Sequence, residues 1–348
     1  MSLSSAGSAV RCPLPAVGSL SPRLFALVSV EELFERRYRI EHLANSPPGT
    51  IEQYRTQLAH LDRWRKATAE NGEASGPLTV RHLTRDAILA CRAWLLQTPD
   101  PKTEKPRTVA TANKFCRHVA AIWRFAIEEG LVQEEARPIK RLKEPKRKPR
   151  AWRVSDLGAM LSVAARRAGL ICGLRASSWW RAFYLVMYDT GLRVSTQMDL
   201  RWDHFNPRDG VLRIPAELVK DDEELVHELS PQTLSALLAL RGSGAAEIFP
   251  WASDRDRKWR TLRKRHRANL REASLPWQGR RDGGFHKIRS TTASYLKRSG
   301  GNPTEHLGHS TEQVTRVYLD KRICRPRRQV DLLPRPQLAE PDPQMRLF

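Results

Sequence analysis

FHKIRSTTASYLKRSGGNPTEHLGHSTEQVTRVYLD, residues 285–320, holds the densest set of chemistry-bearing side chains in the chain. His286 and Arg289 stand three apart, so on a helix they share one face. Near the first turn of that helix the dipole also favours an anion. Leu307-Gly308-His309 forms a glycine turn, and Tyr318 follows His309 by nine residues. Thr311 is placed to cap a short helix carrying Tyr318 back toward the turn.

Working outward, Thr190-Gly191-Leu192-Arg193 reads as a helix end at which glycine turns the chain and presents an arginine at a fixed angle. Lys220 lies in the turn between two short strands. Cleaving a phosphodiester by transesterification needs a nucleophile, cations on the nonbridging oxygens and an acid for the leaving oxygen. Arginine suits the second task, because its planar fork binds phosphate bidentately and keeps its proton. A phenol ionises near pH 10, so as a nucleophile it needs neighbouring cations. Each element alone also has a plain structural reading: Arg193 as a surface arginine after a helix cap, His309 as a satisfied turn histidine, Tyr318 as half-buried core.

Composition sets the partner class. The 348 residues have room for two domains, and 60 Lys plus Arg against 38 Asp plus Glu leave a formal charge of +22. Such an excess points to a polyanion, and to double-stranded DNA rather than a membrane, since no run of about 18 apolar residues is present. The five cysteines are scattered without a CxxC pair, which indicates neither a disulfide framework nor a zinc site and fits the cytoplasm.

Residues 1–28 are Ser-rich and lack Asp and Glu, and read as a disordered leader. Residues 29–136 read as helical: a segment with Val30, Leu33 and Phe34, one that Thr50 caps, one near Thr84, and one over 108–129. The last has Ala112, Phe115, Val119, Ile122 and Ala126 at helical period. Lys114, Arg117, His118 and Arg124 lie off that stripe, where they meet phosphates or make a solvated face. Residues 137–153 hold nine Lys or Arg, one acid and three prolines, a stiff positive linker that includes Lys140, Arg141, Lys146, Arg147 and Lys148.

Residues 154–325 open with a helix capped by Ser155, then a helix ending at Gly191. Short strands follow around His204–Phe205, over Val211–Ile214 and over Leu225–Leu229. A basic helix spans 255–271, with Trp259, Leu262 and His266 inward and Arg260 and Arg263 on a second phosphate-tracking surface. Residues 326–348 read as a tail, either docked on a neighbouring subunit or disordered.

In the order TGLR, strand-turn lysine, HxxR, LGH and Tyr, these elements resemble the tyrosine recombinase (phage-type integrase) family over residues 150–325, and 29–148 resembles that family's core-binding domain. The resemblance implies a mainly α protein: a helical, SAM-like core-binding domain and an α+β catalytic domain with a small antiparallel β-sheet. It implies Arg193 and Arg289 clamping the scissile phosphate, His309 donating to it, Lys220 protonating the leaving 5′ oxygen, His286 assisting, and Tyr318 as nucleophile. A 3′-phosphotyrosine bond stores the energy, so resealing needs no ATP, metal or other cofactor, and a homo-tetramer on DNA is expected. Two positions depart from the family pattern. Thr196 stands where an acid is usual, and the loop of Lys220 reads VKDDEEL, with four acids. A type IB topoisomerase-like activity, a decayed DNA-binding protein and a metal-dependent nuclease are the alternatives; the last finds no carboxylate cluster beside the histidines.

Overall fold

The computed structural model describes residues 28–69, 76–101, 103–145, 149–219, 223–242, 244–252, 255–277 and 284–324. The leader read over 1–28 (save Val28), the tail over 326–348, and Lys146, Arg147, Lys148 and Lys220 lie outside the described residues. The chain forms two compact units, residues 1–146 and 147–348.

In the first unit, α1 runs through Val30–Leu33, Phe34–Tyr38 and Arg39–His42, its middle part π-helical. Ser29 caps it, accepting from the Glu32 N–H. Helix α2 (Pro48–Thr68) begins at a proline, whose missing N–H would be unpaired at that position anyway. Thr50 therefore stands inside the first turn and is not the cap. Helix α3 (Arg85–Gln97) is capped by Thr84 and α4 (Val109–Glu128) by Thr108. Ala112, Phe115, Val119, Ile122 and Ala126 are all fully buried, as their period requires. They face Leu61, Val80, Ile88, Cys91 and Leu95 in one apolar core. The Glu134 carboxylate accepts from the Trp123 indole and from the Arg85 N–H, fixing the start of α3 against α4.

The second unit is built around α6 (Ala176–Thr190). Helix α5 (Val154–Ala165) precedes it, then a hairpin of β1 (Leu170–Ile171) and β2 (Leu174–Arg175) that the sequence did not announce, because each strand has two residues. Ser155 is not the cap of α5. Arg153 holds that position and the Asp156 carboxylate accepts from its N–H at 2.8 Å. Trp179, Trp180, Phe183 and Tyr184 of α6 are buried, with Trp179 stacked on Phe183 at 4.8 Å.

After α7 (Val194–Met198) come β3 (Phe205–Asn206), β4 (Val211–Ile214) and β5 (Leu225–Glu228), an antiparallel sheet in that order. Leu212 pairs with Phe205 on one side and His227 on the other. Helix α8 (Pro231–Leu238), capped by Ser230, also went unannounced. Helix α9 (Arg255–Glu272) buries Leu262 and His266, while Trp259 is partly buried. Helices α10 (His286–Arg298), α11 (Pro303–His306), α12 (Glu312–Thr315) and α13 (Lys321–Cys324) complete the unit. Among the described residues no helix is long and apolar enough to cross a membrane.

The basic stretch 137–153 is pinned near each end to its own unit. Asn113 of α4 brackets Leu142 by donating to its carbonyl and accepting its N–H, both at 2.9 Å. Ala151 donates its N–H to the Asp320 carboxylate, and Trp152 donates to the Thr291 hydroxyl.

Gly191 ends α6 at φ +62°, where a Cβ would stand 2.5 Å from Cδ2 of Leu307. Both the left-handed backbone and the contact exclude a side chain. Gly191→Ala is expected to cost roughly 2–3 kcal/mol and to lower the melting temperature of this unit by roughly 4–10 °C, read by calorimetry.

Candidate active site

Four segments of the second unit converge at Arg289. Helix α10 begins at His286, so Arg289 projects from its first turn into the protein, only 2% exposed. Its Nη1 donates to the Gly191 carbonyl at 2.6 Å, and its Nη2 donates to the Leu307 carbonyl at 2.9 Å and to Nε2 of His309 at 2.8 Å. The guanidinium thus joins the end of α6, its own helix and the 307–309 turn. An arginine N–H only donates, so Nε2 of His309 is the accepting nitrogen. His309 is buried, and its Nδ1 lies 2.9 Å from the Thr315 hydroxyl, which donates to Oγ1 of Thr304 at 3.0 Å.

Tyr318 follows α12, which Thr311 caps, and its N–H donates to the Thr315 carbonyl. Its ring sits among the expected partners: His286 at 4.8 Å and His309 at 5.0 Å between ring centroids, and the Arg289 guanidinium carbon 5.3 Å from the Tyr318 centroid. His286 itself is exposed. Gly308, at φ +59°, leaves room for Leu225 of β5, which a Cβ there would meet at 2.8 Å. This packs the β4–β5 hairpin against the turn carrying His309.

Arg193 occupies the N-cap position of α7, half-buried, and its guanidinium has no hydrogen-bond or ion-pair partner among the described residues. Thr196 performs a different service from a carboxylate. Buried, it donates its hydroxyl to the Leu218 carbonyl at 2.9 Å, tying α7 to the segment two residues ahead of Lys220.

Supports invisible in the sequence surround this centre. Asp320, 2% exposed, accepts from the Ala151 N–H and from Nε and Nη2 of Arg322, while its own N–H donates to Ser294. Burial alone would raise its carboxyl, but the Arg322 guanidinium and the backbone N–H groups of Ala151 and Arg322 hold it below the usual carboxylate range. The Lys287 ammonium lies 3.4 Å from the Trp152 ring centroid, a cation–π contact between the α10 start and the end of the basic stretch.

His306 and His227 pack edge to face at 4.8 Å, and Nε2 of His306 donates to the Asp189 carbonyl. Desolvation, then the proximity of Arg289 among other causes, pushes both imidazoles down, His227 to about 3. A histidine one residue before Leu307 was a signal available in the sequence. Its partner on β5 was not.

Of the expected phosphate-tracking residues, Lys114, Arg117, Arg124 and Arg141 line one groove of about 400 Å³ beside α4. The Glu144 carboxylate sits among them, accepting from Arg141 and from Asn113 at 2.7 Å each. Lys140 is exposed, and its carbonyl accepts from Arg92. His118 does not join this face. It is 5% exposed, donates Nδ1 to the Lys114 carbonyl and meets the Tyr54 ring edge-on at 4.5 Å, and burial lowers its pKa. Arg260 is exposed on α9, and Arg263 is half-buried there. No group of three or more metal-ligating side chains is placed to hold an ion among the described residues.

The site therefore offers one buried and one half-buried guanidinium, two imidazoles and a phenol, a set suited to a tetrahedral oxyanion. Residues 170–323 match the model of the phage integrase family. The chain is 26% identical over 283 residues to the tyrosine recombinase XerD of Pseudomonas aeruginosa, covering 77% of this chain and 85% of that protein. It is 24% identical over 309 residues to XerC of Xanthomonas campestris, covering 85% of each. Among solved structures, a lambda integrase dimer bound to a COC′ core site superposes with a TM-score of 0.60 at 17% identity, over 85% of this chain and 78% of that one. A pre-cleavage complex of XerH with its difH substrate gives 0.58 at 14% identity, over 84% and 82%.

The lowered pKa of His227 has a consequence for stability. The unfolded chain takes up this proton near pH 6.5 and the folded chain only near pH 3, so stability conferred by the neutral ring is present above 6.5 and is lost as pH falls from there toward 3. His227→Leu is expected to flatten the pH dependence of unfolding of the 147–348 unit between pH 6.5 and 4. The change should reach at most about 1.4 kcal/mol per pH unit, read by denaturant titration at stepped pH.

Proposed function

We propose that this chain, whose residues 170–323 match the phage integrase family model, is a tyrosine recombinase acting site-specifically on double-stranded DNA through a 3′-phosphotyrosine intermediate. The observation that carries this reading is the enclosure of the Tyr318 ring by His286, His309 and Arg289. A phenol attacks phosphorus only if its developing negative charge is met, and the guanidinium that reaches toward His309 also stands beside its ring.

In this mechanism Arg193 and Arg289 hold the nonbridging oxygens of the scissile phosphate. Arg193 reaches them with a guanidinium that the described protein leaves uncommitted. Tyr318 Oη attacks phosphorus, the 5′ oxygen departs, and a 3′-phosphotyrosine bond replaces the phosphodiester. Lys220 delivers the proton to the leaving oxygen, and His286 takes the phenolic proton or steadies the phenolate by hydrogen bonding. His309 donates to a nonbridging oxygen. Attack by a 5′ hydroxyl of another strand reverses the sequence and reseals the DNA, without cofactor, because bond energy is conserved in the protein–DNA link.

The groove of Lys114, Arg117, Arg124 and Arg141, the basic linker 137–153 and Arg260 and Arg263 serve as phosphate contacts, making affinity fall steeply with salt. The acids beside Lys220 repel DNA until the hairpin docks. Recombination pairs two duplexes, so a homo-tetramer on DNA in the cytoplasm is the working form, with a mobile element as substrate. The first unit is the core-binding domain and the second the catalytic domain.

The test uses a pool of nicked suicide duplexes of randomised sequence. The parent protein should accumulate a covalent adduct that survives denaturation, whereas Tyr318→Phe should retain DNA binding within about threefold and form none. An adduct on the Phe variant would remove Tyr318 from the nucleophile role.

A further inference from the structure

Among the described residues, the His309 side chain has a second attachment that the reaction above leaves unused. On one side Nε2 receives a proton-bearing nitrogen of Arg289 at 2.8 Å. On the other, Nδ1 faces the Thr315 hydroxyl at 2.9 Å, and that hydroxyl donates onward to Thr304 at 3.0 Å. These distances determine where the imidazole proton sits. Arg289 cannot accept, so Nε2 bears a lone pair. A neutral ring then carries its hydrogen on Nδ1 and donates it to Thr315, whose own hydrogen is committed to Thr304. His309 is 7% and Thr315 0% exposed, so exchange with bulk water is restricted at that end of the ring.

We propose that the Thr304–Thr315 hydroxyl pair is a positioning device that locks His309 in the Nδ1–H tautomer and so reserves Nε2 for the scissile phosphate. The inference rests on the recombinase reading for its catalytic consequence, though not for the lock itself. In the DNA-free protein the reserved lone pair is occupied by Arg289. When a phosphate diester arrives, the guanidinium turns its Nη2 hydrogen to the anion and Nε2 takes one proton from water. The imidazolium then holds Nδ1–H on Thr315 and Nε2–H on a nonbridging oxygen. One proton is gained by the ring and one is lost by water, and no bond to carbon or phosphorus changes. Arg289 alone favours hydrogen on Nδ1, but without the Thr315 acceptor that buried N–H would be unpaired, and the ring would shift its hydrogen to Nε2 and turn away from Arg289 or swing out of line with the phosphate.

The placement of these threonines supports a dedicated role. Thr315 is the last residue of α12, three before Tyr318, so the helix that delivers the phenol also orients the histidine. Thr304 lies in the first turn of α11, five residues ahead of His309, whose N–H donates to the Thr304 carbonyl. Both ends of the relay are therefore fixed by backbone that leads into the turn.

Thr315→Val keeps shape and removes the hydroxyl, Thr315→Ser restores it, and Thr304→Val removes the far acceptor and leaves α12 intact. Two readouts on the full chain separate the lock from the reaction. With ¹⁵N-labelled histidine and no DNA, the ring shifts of His309 should report hydrogen on Nδ1 in the parent and in Thr315→Ser, and a mixed or Nε2–H ring in Thr315→Val. Thr304→Val should shift the same balance less. On the nicked duplex pool, Thr315→Val should form adduct roughly 10–100-fold more slowly, with DNA binding within about twofold, and Thr315→Ser should recover most of the rate.

An unchanged tautomer in Thr315→Val, or adduct formation within twofold of the parent, overturns the proposal. If Thr315→Val does not fold, an unchanged ring in Thr304→Val does so. Should the parent form no adduct while the ring shifts move as stated, the recombinase reading fails and the histidine lock stands.

Discussion

A guanidinium with almost no water around it is the constraint on which the rest of the second unit depends. Removing a charged group from solvent costs several kcal/mol unless hydrogen bonds replace its hydration, and Arg289 obtains them from the Gly191 carbonyl, the Leu307 carbonyl and the His309 ring. Each acceptor dictates local structure. Gly191 must end α6 left-handed so that its carbonyl faces inward, and must lack a Cβ because Leu307 fills that space. Gly308 must be bare because the β4–β5 hairpin packs against it. The glycines in TGLR and LGH thus serve one arginine, and Leu225 of β5 packs beside it against Gly308.

The linear sequence disclosed the parts of this arrangement that lie within one helix turn or one loop. His286 with Arg289, the Leu307-Gly308-His309 turn, the Thr311 cap and the buried stripe of α4 depend on spacings of three to nine residues. What it concealed joins distant chain. Asp320 meets Ala151 across 169 residues, and Thr291 meets Trp152 across 139. No periodicity announces such pairs. Caps were misplaced where an alternative outcompeted a nearby hydroxyl: Pro48 starts α2 ahead of Thr50, and Asp156 secures the start of α5 ahead of Ser155. His118 looked like part of a basic face because it falls off the main stripe. Helix α4, however, buries more than one face, and the Tyr54 ring closes over it.

Thr196 illustrates how a departure from a family pattern is absorbed. A carboxylate at that position would compensate Arg193 directly; a threonine cannot. Its hydroxyl instead secures α7 to the Leu218 carbonyl, so Arg193 is positioned through backbone and not through charge. The two arginines are consequently inequivalent. Arg289 is buried and held through both Nη atoms by protein acceptors, whereas Arg193 is half-buried with no such partner among the described residues. Under the proposed reaction the first would orient a phosphate and the second hold it.

The Gly191 and Leu307 carbonyls and the His309 ring are neutral acceptors, over which the Arg289 guanidinium spreads its charge. The same geometry keeps Nε2 of His309 from carrying a hydrogen, since two donors cannot face each other at 2.8 Å. In the proposed reaction a phosphate diester would take the place of Nε2 as an acceptor on Arg289 and release Nε2 to face the anion. The Arg289 side chain thus joins the His309 ring and the cationic surroundings of Tyr318, so that in the proposed reaction one side chain would couple phosphate binding to both.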